Sequence, residues 1–456
     1  MAAGRGKRVK SALPKVLHPV AGRPVLWHVL RAARETRPDR LIVVVGHGSK
    51  QVEEAVRSWG IDATFVHQGE ALGTGHAVMV AEKAFGTAHD VLVLPGDEPL
   101  VTGRQLRDLM GRHRRQDVAA LVQTTIAADP RGFGRVVRSD NDLVRITEGD
   151  EATAEELQIA EVATAVYTFR RKDLSGALPL LSRETRQGEY YLHHVIPILL
   201  GKGERVRVQR VDNGGAVGAN SRAELARTAA VLRRRVNEEL MEAGVTLLDP
   251  ERTYVDVGVR VGSDTMILPG VHLEGETRIG RGCRIGPDSR IVDSRVDDGT
   301  EVTYSVVRGS RLGAGASVGP YASLRPGTVL GKGAKAGTFV EIKASTIGDG
   351  SKVPHLAYVG DAEIGRDVNV GAGTITCNYD GYEKHRTLIG DGAFIGSDTM
   401  LVAPVRIGRG AVTGAGSTIT RDVPDGALAV ERAEQRNAEG YAERRRRRAR
   451  SRREKA

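Results

Sequence analysis

Several features that would assign this 456-residue chain to a class of protein are scarce or absent from its sequence. Its two cysteines, Cys283 and Cys377, are too few for a disulfide framework, and no cysteine–histidine cluster has zinc-site spacing. No apolar run approaches the roughly 20 residues that span a bilayer, and no secretory segment opens the chain. No aromatic-rich strand motif or helix-turn-helix pattern of a nucleic-acid module is evident. We therefore expect a cytoplasmic protein, and the length predicts two or three domains.

The positive charge is concentrated at the C-terminus. Of the formal charge of +10, residues 444–456 carry +8, from nine basic residues and one acid, which leaves +2 for the chain that precedes them. Long blocks of like charge repel themselves, so the tail is expected to be solvated and disordered. The alternative is an arm that contacts polyanions weakly, such as anionic membrane, RNA or DNA.

The 56 glycines are also concentrated, with 32 of them between Gly244 and Gly426. There the sequence repeats with a period of six, in units such as IGRGCR, LGAGAS and IGDGAF. A period of six suits a coil of short strands in which the aliphatic residue points inward and glycine permits the turn. The pattern predicts a hexapeptide-repeat parallel β-helix. It breaks at 292–311, 344–363 and 375–388, where surface loops are expected to form the binding face.

The segment 1–220 alternates between strand-like and helix-like stretches. Predicted strands cover 41–48, 63–68, 91–97 and 119–125, and predicted helices cover 24–35, 49–59, 74–85 and 102–115. This alternation indicates an α/β domain with ligands at the carboxyl ends of its strands. The apolar spacing of residues 221–243 then predicts an amphipathic linker helix.

Three segments of the α/β half carry residues suited to phosphate chemistry. Gly4 and Gly6 expose backbone that can approach phosphate oxygens, while Arg8 and Lys15 can neutralise them. The segment QGEALGTGHA at 68–77 leads from a strand into a helix. Asp97 ends a buried strand, and beside a phosphate loop a metal ligand is its favoured role over a turn former.

With these segments in place, nearly the whole chain resembles the bacterial bifunctional N-acetylglucosamine-1-phosphate uridylyltransferase / glucosamine-1-phosphate N-acetyltransferase family. The resemblance implies a Rossmann-like α/β nucleotidyltransferase domain at 1–220, a linker helix at 221–243, a left-handed β-helix acetyltransferase domain at 244–430 and a basic tail at 431–456. It implies UTP and acetyl-CoA as co-substrates, Mg²⁺ and a homotrimer. In the first domain it implies contacts to UTP or UDP-N-acetylglucosamine from Ala2, Ala3, Gly4, Arg8, Lys15, Gln68, Gly73, Thr74, Gly134, Glu148 and Asn220, and a metal site formed by Asp97 and Asn220.

In the β-helix the resemblance implies His355 as the general base, a role for which imidazole is well suited near neutral pH. It implies an acceptor sugar-phosphate site formed by Arg325, Lys343, Tyr358, Asn369 and Lys384. It implies acetyl-CoA contacts from Ala372, Asn378, Tyr379, Ser397, Ala415 and Arg432. Cys377 lies beside this set, and we expect it to be a packed residue rather than a nucleophile.

Two alternatives remain open at this point. Lys7, Ala163, His193 and His194 differ from the residues usual in the family, and Met1 stands where the first strand of the family would be ending. The first alternative is therefore an acetyltransferase with a truncated or degenerate uridylyltransferase half, whose phosphate loop would be poorly anchored. The second is a non-catalytic trimeric scaffold, against which the complete set around His355 argues.

Overall fold

The protein divides into two compact units in a computed structural model that describes residues 1–4, 6–127, 129–139, 142–212, 218 and 220–453. The first unit comprises Met1–Glu239 and Tyr254–Gly258, and the second comprises Leu240–Thr253 and Val259–Ala456. The first is an α/β domain and the second is a parallel β-helix. The helix Arg222–Glu242 connects them in the chain, as the apolar spacing of 221–243 predicts.

The first unit contains two main sheets. A parallel pair is formed by Ile42–Val45 and Thr64–His67. A mixed six-stranded sheet has Glu161–Arg170 near its centre, and this long strand pairs antiparallel with three neighbours. The strands of this second sheet are Asp90–Val93, Ala120–Ile126, Arg135–Ser139, Asp142–Thr147, Glu161–Arg170 and Val206–Arg210. All four strands that the sequence predicts are present.

Met1 and Ala2 lie between these two sheets. The amide of Ala2 donates to the carbonyl of Val44 over 2.7 Å, and the amide of Gly96 donates to the carbonyl of Met1 over 2.7 Å. Met1 N also donates to Leu94 O over 2.8 Å. The expected poor anchoring of the phosphate loop is therefore wrong, because backbone hydrogen bonds to both sheets hold the residues that precede it.

Helices cover the sheets of the first unit. Their apolar residues form its core, in which Val44 of the small sheet and Val93 of the large one join Ala77 and Phe85. All four helices that the sequence predicts are present, and the third of them ends in a 3-10 turn, Glu82–Phe85. The α-helices before the connecting helix are Val25–Arg34, Ser49–Ser58, Thr74–Ala81, Gly103–Gln116, Arg171–Ala177 and Val195–Gly201.

Three parallel sheets of eleven, ten and nine short strands form the walls of the β-helix. They run from Thr246–Leu247 to Leu428–Ala429, from Tyr254–Val255 to Thr418–Ile419, and from Arg260–Val261 to Val405–Ile407. The aliphatic positions of the repeat point inward as predicted, and Ile267, Leu273, Ile285 and Ile291 are fully buried. The arrangement is consistent with a left-handed β-helix of hexapeptide repeats.

Only one of the three breaks in the repeat is an inserted loop. In a regular coil a residue pairs with the one three hexapeptides later, as Ile267 does with Ile285. At the first two breaks the paired residues, Val296 with Leu312 and Ile347 with Ile364, are slightly closer in sequence than this. These two breaks are coils with a shortened corner, so the expected loops are wrong there. In contrast, Ile364 pairs with Ile389, more than four hexapeptides later, which leaves a true loop within 375–388.

The basic tail is solvated but not irregular. Residues Tyr441–Arg453 form an α-helix, and every residue in it is exposed. The expectation of a disordered tail is therefore wrong for this segment. Among the described helices, none combines the length and apolarity required to cross a membrane.

Close contact between the corners of successive coils predicts a specific sensitivity to alanine. A Cβ on Gly313 would lie 2.7 Å from the carbonyl carbon of Gly331, whereas one on Gly315, where φ is +67°, would have open space around it. We expect Gly313→Ala to lower the free energy of unfolding by about 3 kcal/mol through overpacking. We expect Gly315→Ala to cost about 1 kcal/mol through backbone strain alone. Thermal denaturation of both variants measures the difference, and equal losses would contradict this packing.

Candidate active sites

The first unit contains a cavity of about 820 Å³ at the end of its sheets. Ten of the twelve residues that the resemblance assigns to nucleotide, sugar or metal in this half line it: Ala2, Ala3, Gly4, Arg8, Lys15, Gln68, Gly73, Thr74, Asp97 and Asn220. Gly134 and Glu148 are not part of its lining. Sequence reasoning missed Glu70 and Glu189, which are also on the wall.

A lysine ammonium and two side-chain oxygens meet inside this cavity. The ammonium of Lys15 contacts the Asp97 carboxylate and lies 2.6 Å from Oδ1 of Asn220. Gly6, where φ is +58°, permits this approach, because a Cβ there would lie 2.7 Å from Cβ of Lys15. One positive centre thus already bridges the two side chains that the resemblance assigns to a metal. The oxygen donors suit Mg²⁺, which proteins hold through one or two side-chain oxygens plus phosphates and water.

Glu98 is a buried carboxyl group that the sequence did not single out. Burial, and next the charge of Asp97, raise the pKa of Glu98 well above its usual range. In the described part of the chain, no group of three or more His, Cys, Asp or Glu side chains is arranged to hold a metal ion.

The loop at 68–74 is held against the segment 189–192. Nε2 of Gln68 donates to the carbonyl of Gly73 over 2.9 Å, which closes the loop on itself. The amide of Leu192 donates to Oγ1 of Thr74 over 3.0 Å. At Gly73, φ is +100° and a Cβ would lie 2.5 Å from the carbonyl oxygen of Tyr190, so only glycine fits. These contacts fix one wall of the cavity.

Gly134 and Glu148 form a separate cluster with His193. A Cβ on Gly134 would lie 3.7 Å from Oε1 of Glu148, and Nδ1 of His193 lies 3.7 Å from the same oxygen. Burial, followed by the charges of Asp150 and Glu151, raises the pKa of Glu148 to about 7. Burial lowers the pKa of His193 to about 3, so this imidazole is neutral at pH 7. The side chain of Lys7, another of the departures in this half, lies outside the described residues.

The second unit brings most of the predicted acceptor residues together around Asp361. Its Oδ2 accepts from Nζ of Lys343 over 3.3 Å and from Nδ2 of Asn378 over 2.5 Å. Contact with Lys343 lowers the pKa of Lys384, so the two lysines are neighbours. A Cβ on Gly360 would lie 2.5 Å from the hydroxyl of Tyr358 and 2.8 Å from Nδ2 of Asn378. The sequence did not single out Asp361, although it lies in the second break of the repeat.

One further cation and the predicted base lie on the same or adjacent coils of the β-helix. Arg325 donates from Nη1 to Oε1 of Glu341 over 2.9 Å, one coil away from Lys343 and Asp361. His355 ends the strand Lys352–His355 with its side chain exposed. Asn369 pairs with Lys352 of that strand. The structure gives no direct contact between His355 and Lys343 or Asp361.

The predicted acetyl-CoA residues follow one corner of the β-helix. Coil pairing places Ala372, Ser397 and Ala415 at equivalent positions of successive coils. Arg432 donates from Nη1 to the carbonyl of Ala415 over 2.9 Å. Tyr379 is exposed in the inserted loop and donates from its hydroxyl to the carbonyl of Gly381 over 2.6 Å. Burial raises the pKa of the Cys377 thiol, which disfavours a thiolate nucleophile there.

The perturbed carboxyl of Glu148 predicts a pH-dependent contribution to stability. A glutamate whose pKa rises on folding from 4.5 to about 7 binds its proton more tightly in the folded state. Its contribution is fully present below pH 4.5 and is lost as the pH rises through 7. We expect the free energy of unfolding of wild type, relative to Glu148→Gln, to fall by about 2 kcal/mol from pH 4.5 to pH 8. This free-energy change is smaller than the whole pKa difference would give, because the side chain of Glu148 is 30% exposed and water screens its charge. Urea titrations at several pH values test this, and a constant difference would contradict it.

Comparisons with known proteins cover both units. The MobA-like NTP transferase domain family matches residues 1–165, and the bacterial transferase hexapeptide family of six repeats matches 258–293 and 386–421. The bifunctional protein GlmU of Carboxydothermus hydrogenoformans is 49% identical over 97% of this chain and 98% of that protein. The GlmU proteins of Heliobacterium modesticaldum and Caldanaerobacter subterraneus are 48% and 46% identical, over 97% and 98% of this chain and 96% and 97% of theirs. The chain therefore belongs to the GlmU family of bifunctional proteins.

Proposed function

We propose that the protein makes UDP-N-acetylglucosamine in two steps, acetyl transfer in the β-helix and uridylyl transfer in the α/β unit. The observation that carries this proposal is the cavity of the first unit, which ten of the twelve expected residues line. This lining also disfavours the alternative in which the uridylyltransferase half is degenerate. Membership of a family of bifunctional proteins supports the same choice.

In the first step the amine of glucosamine 1-phosphate attacks the thioester carbonyl of acetyl-CoA. A C–N bond forms, the C–S bond breaks, and coenzyme A leaves as its thiol. His355 removes the proton from the amine, a role that suits an exposed imidazole at the edge of a cationic site. Arg325, Lys343 and Lys384 bind the phosphate of the acceptor, while Tyr358 and Asn369 orient the sugar.

The acetyl-CoA site in this proposal follows the corner that Ala372, Ser397 and Ala415 form. Small side chains and open backbone along that corner leave room for an extended thioester arm. Arg432, held by the carbonyl of Ala415, binds a phosphate of coenzyme A. Asn378 and Tyr379 contact the cofactor from the inserted loop, where Asn378 is held by Asp361.

In the second step a phosphate oxygen of N-acetylglucosamine 1-phosphate attacks the α-phosphorus of UTP, and pyrophosphate leaves. Phosphoryl chemistry of this kind depends chiefly on positioning and charge neutralisation. Ala2, Ala3 and Gly4 form the cradle for the nucleotide, while Arg8 and Lys15 neutralise its phosphates. Gln68, Gly73 and Thr74 recognise uridine from the loop held against 189–192. Gly134 and Glu148 contact the sugar.

Asp97 and Asn220 would hold Mg²⁺ in this site. A bound divalent cation supplies charge neutralisation for the phosphate oxygens. The two side chains already share one cationic partner, Lys15, so their oxygens face a common point. Lys15 can pass from these oxygens to phosphate when the nucleotide binds, which keeps each charge paired.

The proposal includes a homotrimer acting in the cytoplasm, where UTP and acetyl-CoA are available. An exposed aromatic row on one corner of the β-helix supports association of copies. Tyr304, Tyr321 and Phe339 stack with ring centroids 5.6 and 5.3 Å apart, and they are 39%, 56% and 59% exposed. Contiguous exposed apolar surface of this kind is typical of an interface.

Replacement of the proposed base tests the acetyl-transfer site. We expect His355→Ala to lower kcat for acetyl transfer to glucosamine 1-phosphate about 100-fold or more, because general base catalysis is lost. Uridylyl transfer by the same protein should stay unchanged. The matched control is His272→Ala, which removes another exposed histidine of the β-helix. Near-wild-type acetyl transfer by His355→Ala would rule out this base.

Replacement of the cavity lysine tests the nucleotide site. We expect Lys15→Met to lower uridylyl transfer about 100-fold or more, since a cation placed at the phosphates is removed. Acetyl transfer should be unaffected. Lys10→Met removes an exposed lysine from the same loop and is the control. Equal activity of the two variants, measured as pyrophosphate release, would contradict the assigned role of Lys15.

A further inference from the structure

The C-terminal helix Tyr441–Arg453 is positively charged on every side. It contains eight arginines and one acidic residue, Glu443, which gives a net charge of +7. At about 100° of rotation per residue, the arginines leave no gap wider than about 80° around the helix axis. No residue of this helix is buried, so its arginine side chains are accessible to solvent.

The charge pattern does not stabilise the helix by itself. Seven pairs of arginines are spaced three or four residues apart along the helix. The acidic residue Glu443 has two oppositely charged neighbours at those spacings, Arg446 and Arg447. Like charges at these spacings destabilise a helix. Anions placed around the helix would relieve the repulsion, so its partner should present negative charge to more than one side.

The shapes of a lipid surface, duplex DNA and duplex RNA decide which of these polyanions fits the helix. A lipid surface contacts a helix from one side and takes an apolar face into the interface. This helix has one large apolar side chain, Tyr441, and therefore no such face. The major groove of duplex DNA is about 12 Å wide, admits an α-helix and has phosphates along both edges. The major groove of duplex RNA is narrow by comparison.

We propose that the helix Tyr441–Arg453 binds duplex DNA without sequence preference by lying in the major groove. Its arginines then neutralise phosphates on both strands, a role for which the guanidinium group is well suited. The helix is about 20 Å long, close to six base pairs of DNA. This function is separate from the two enzymatic activities, whose assigned residues end at Arg432.

The β-helix has a second exposed cationic surface, which can be compared with the C-terminal helix. Arg260, Arg278, Arg295 and Arg311 form a row on one sheet of the β-helix, paired coil to coil. Arg295 of this row is paired with Asp297 over 3.1 Å, and Glu276 and Asp293 line an adjoining cavity of about 320 Å³. The row therefore offers less free charge to a polyanion than the C-terminal helix does.

Binding of the full-length protein to a fluorescent 24-base-pair duplex of mixed sequence tests the proposal. We expect the logarithm of the association constant to fall with the logarithm of salt concentration with a slope of about −3.6 or steeper, as for four or more neutralised phosphates. A variant with all eight helix arginines replaced should lose at least 100-fold in affinity at 50 mM salt. Its substitutions are Arg444→Gln, Arg445→Gln, Arg446→Gln, Arg447→Gln, Arg448→Gln, Arg450→Gln, Arg452→Gln and Arg453→Gln.

The control replaces three arginines of the row on the β-helix, Arg260→Gln, Arg278→Gln and Arg311→Gln, and should bind DNA within about threefold of wild type. Both variants should retain acetyl and uridylyl transfer, which shows that they are folded. Undiminished DNA binding by the eightfold variant would overturn the proposal. So would tighter binding of the wild type to single-stranded RNA or to phosphatidylglycerol vesicles than to the duplex.

Discussion

In-register stacking of parallel coils, about 4.8 Å apart, determines which side chains of the β-helix can act together. Lys343 pairs with Gly360 of the next coil, so its ammonium reaches the neighbouring Asp361, and Asn378 reaches the same carboxylate from the coil after that. The stacking in turn depends on glycine corners, where a Cβ would lie less than 3 Å from the backbone of the next coil. Residues remote in sequence therefore form one column of polar groups, and the inserted loop adds Lys384 to it.

The α/β unit also places positive charge for anionic substrates, but it does so without stacked coils. Here a few glycines bring backbone and one lysine close together, and Lys15 is held between Asp97 and Asn220. Hydrogen bonds from Met1 and Ala2 to both sheets hold the start of this loop. Lys15, Lys343 and Arg325 each lie next to a carboxylate. The excess positive charge lies instead in a helix that neither site uses.

Local patterns account for much of what the sequence predicts correctly. The six-residue period indicates the buried aliphatic positions of the β-helix, because each coil repeats the same inward direction. Motif residues such as Gly4, Gln68 and Asp97 meet at one cavity because they follow strands of neighbouring sheets. Contacts between distant segments were not predictable in this way. Three features depend on partners that no local pattern in the sequence indicates. They are the antiparallel pairing of Glu161–Arg170, the carboxylates of Asp361 and Glu341 that hold cations, and the environment of Glu148.

A coupled assay shows whether one chain carries out both reactions. Purified full-length protein would receive glucosamine 1-phosphate, acetyl-CoA, UTP and Mg²⁺, with free thiol, pyrophosphate and sugar products followed together. We expect release of thiol, then of pyrophosphate, and accumulation of UDP-N-acetylglucosamine. Release of thiol with accumulation of N-acetylglucosamine 1-phosphate and no pyrophosphate would contradict it.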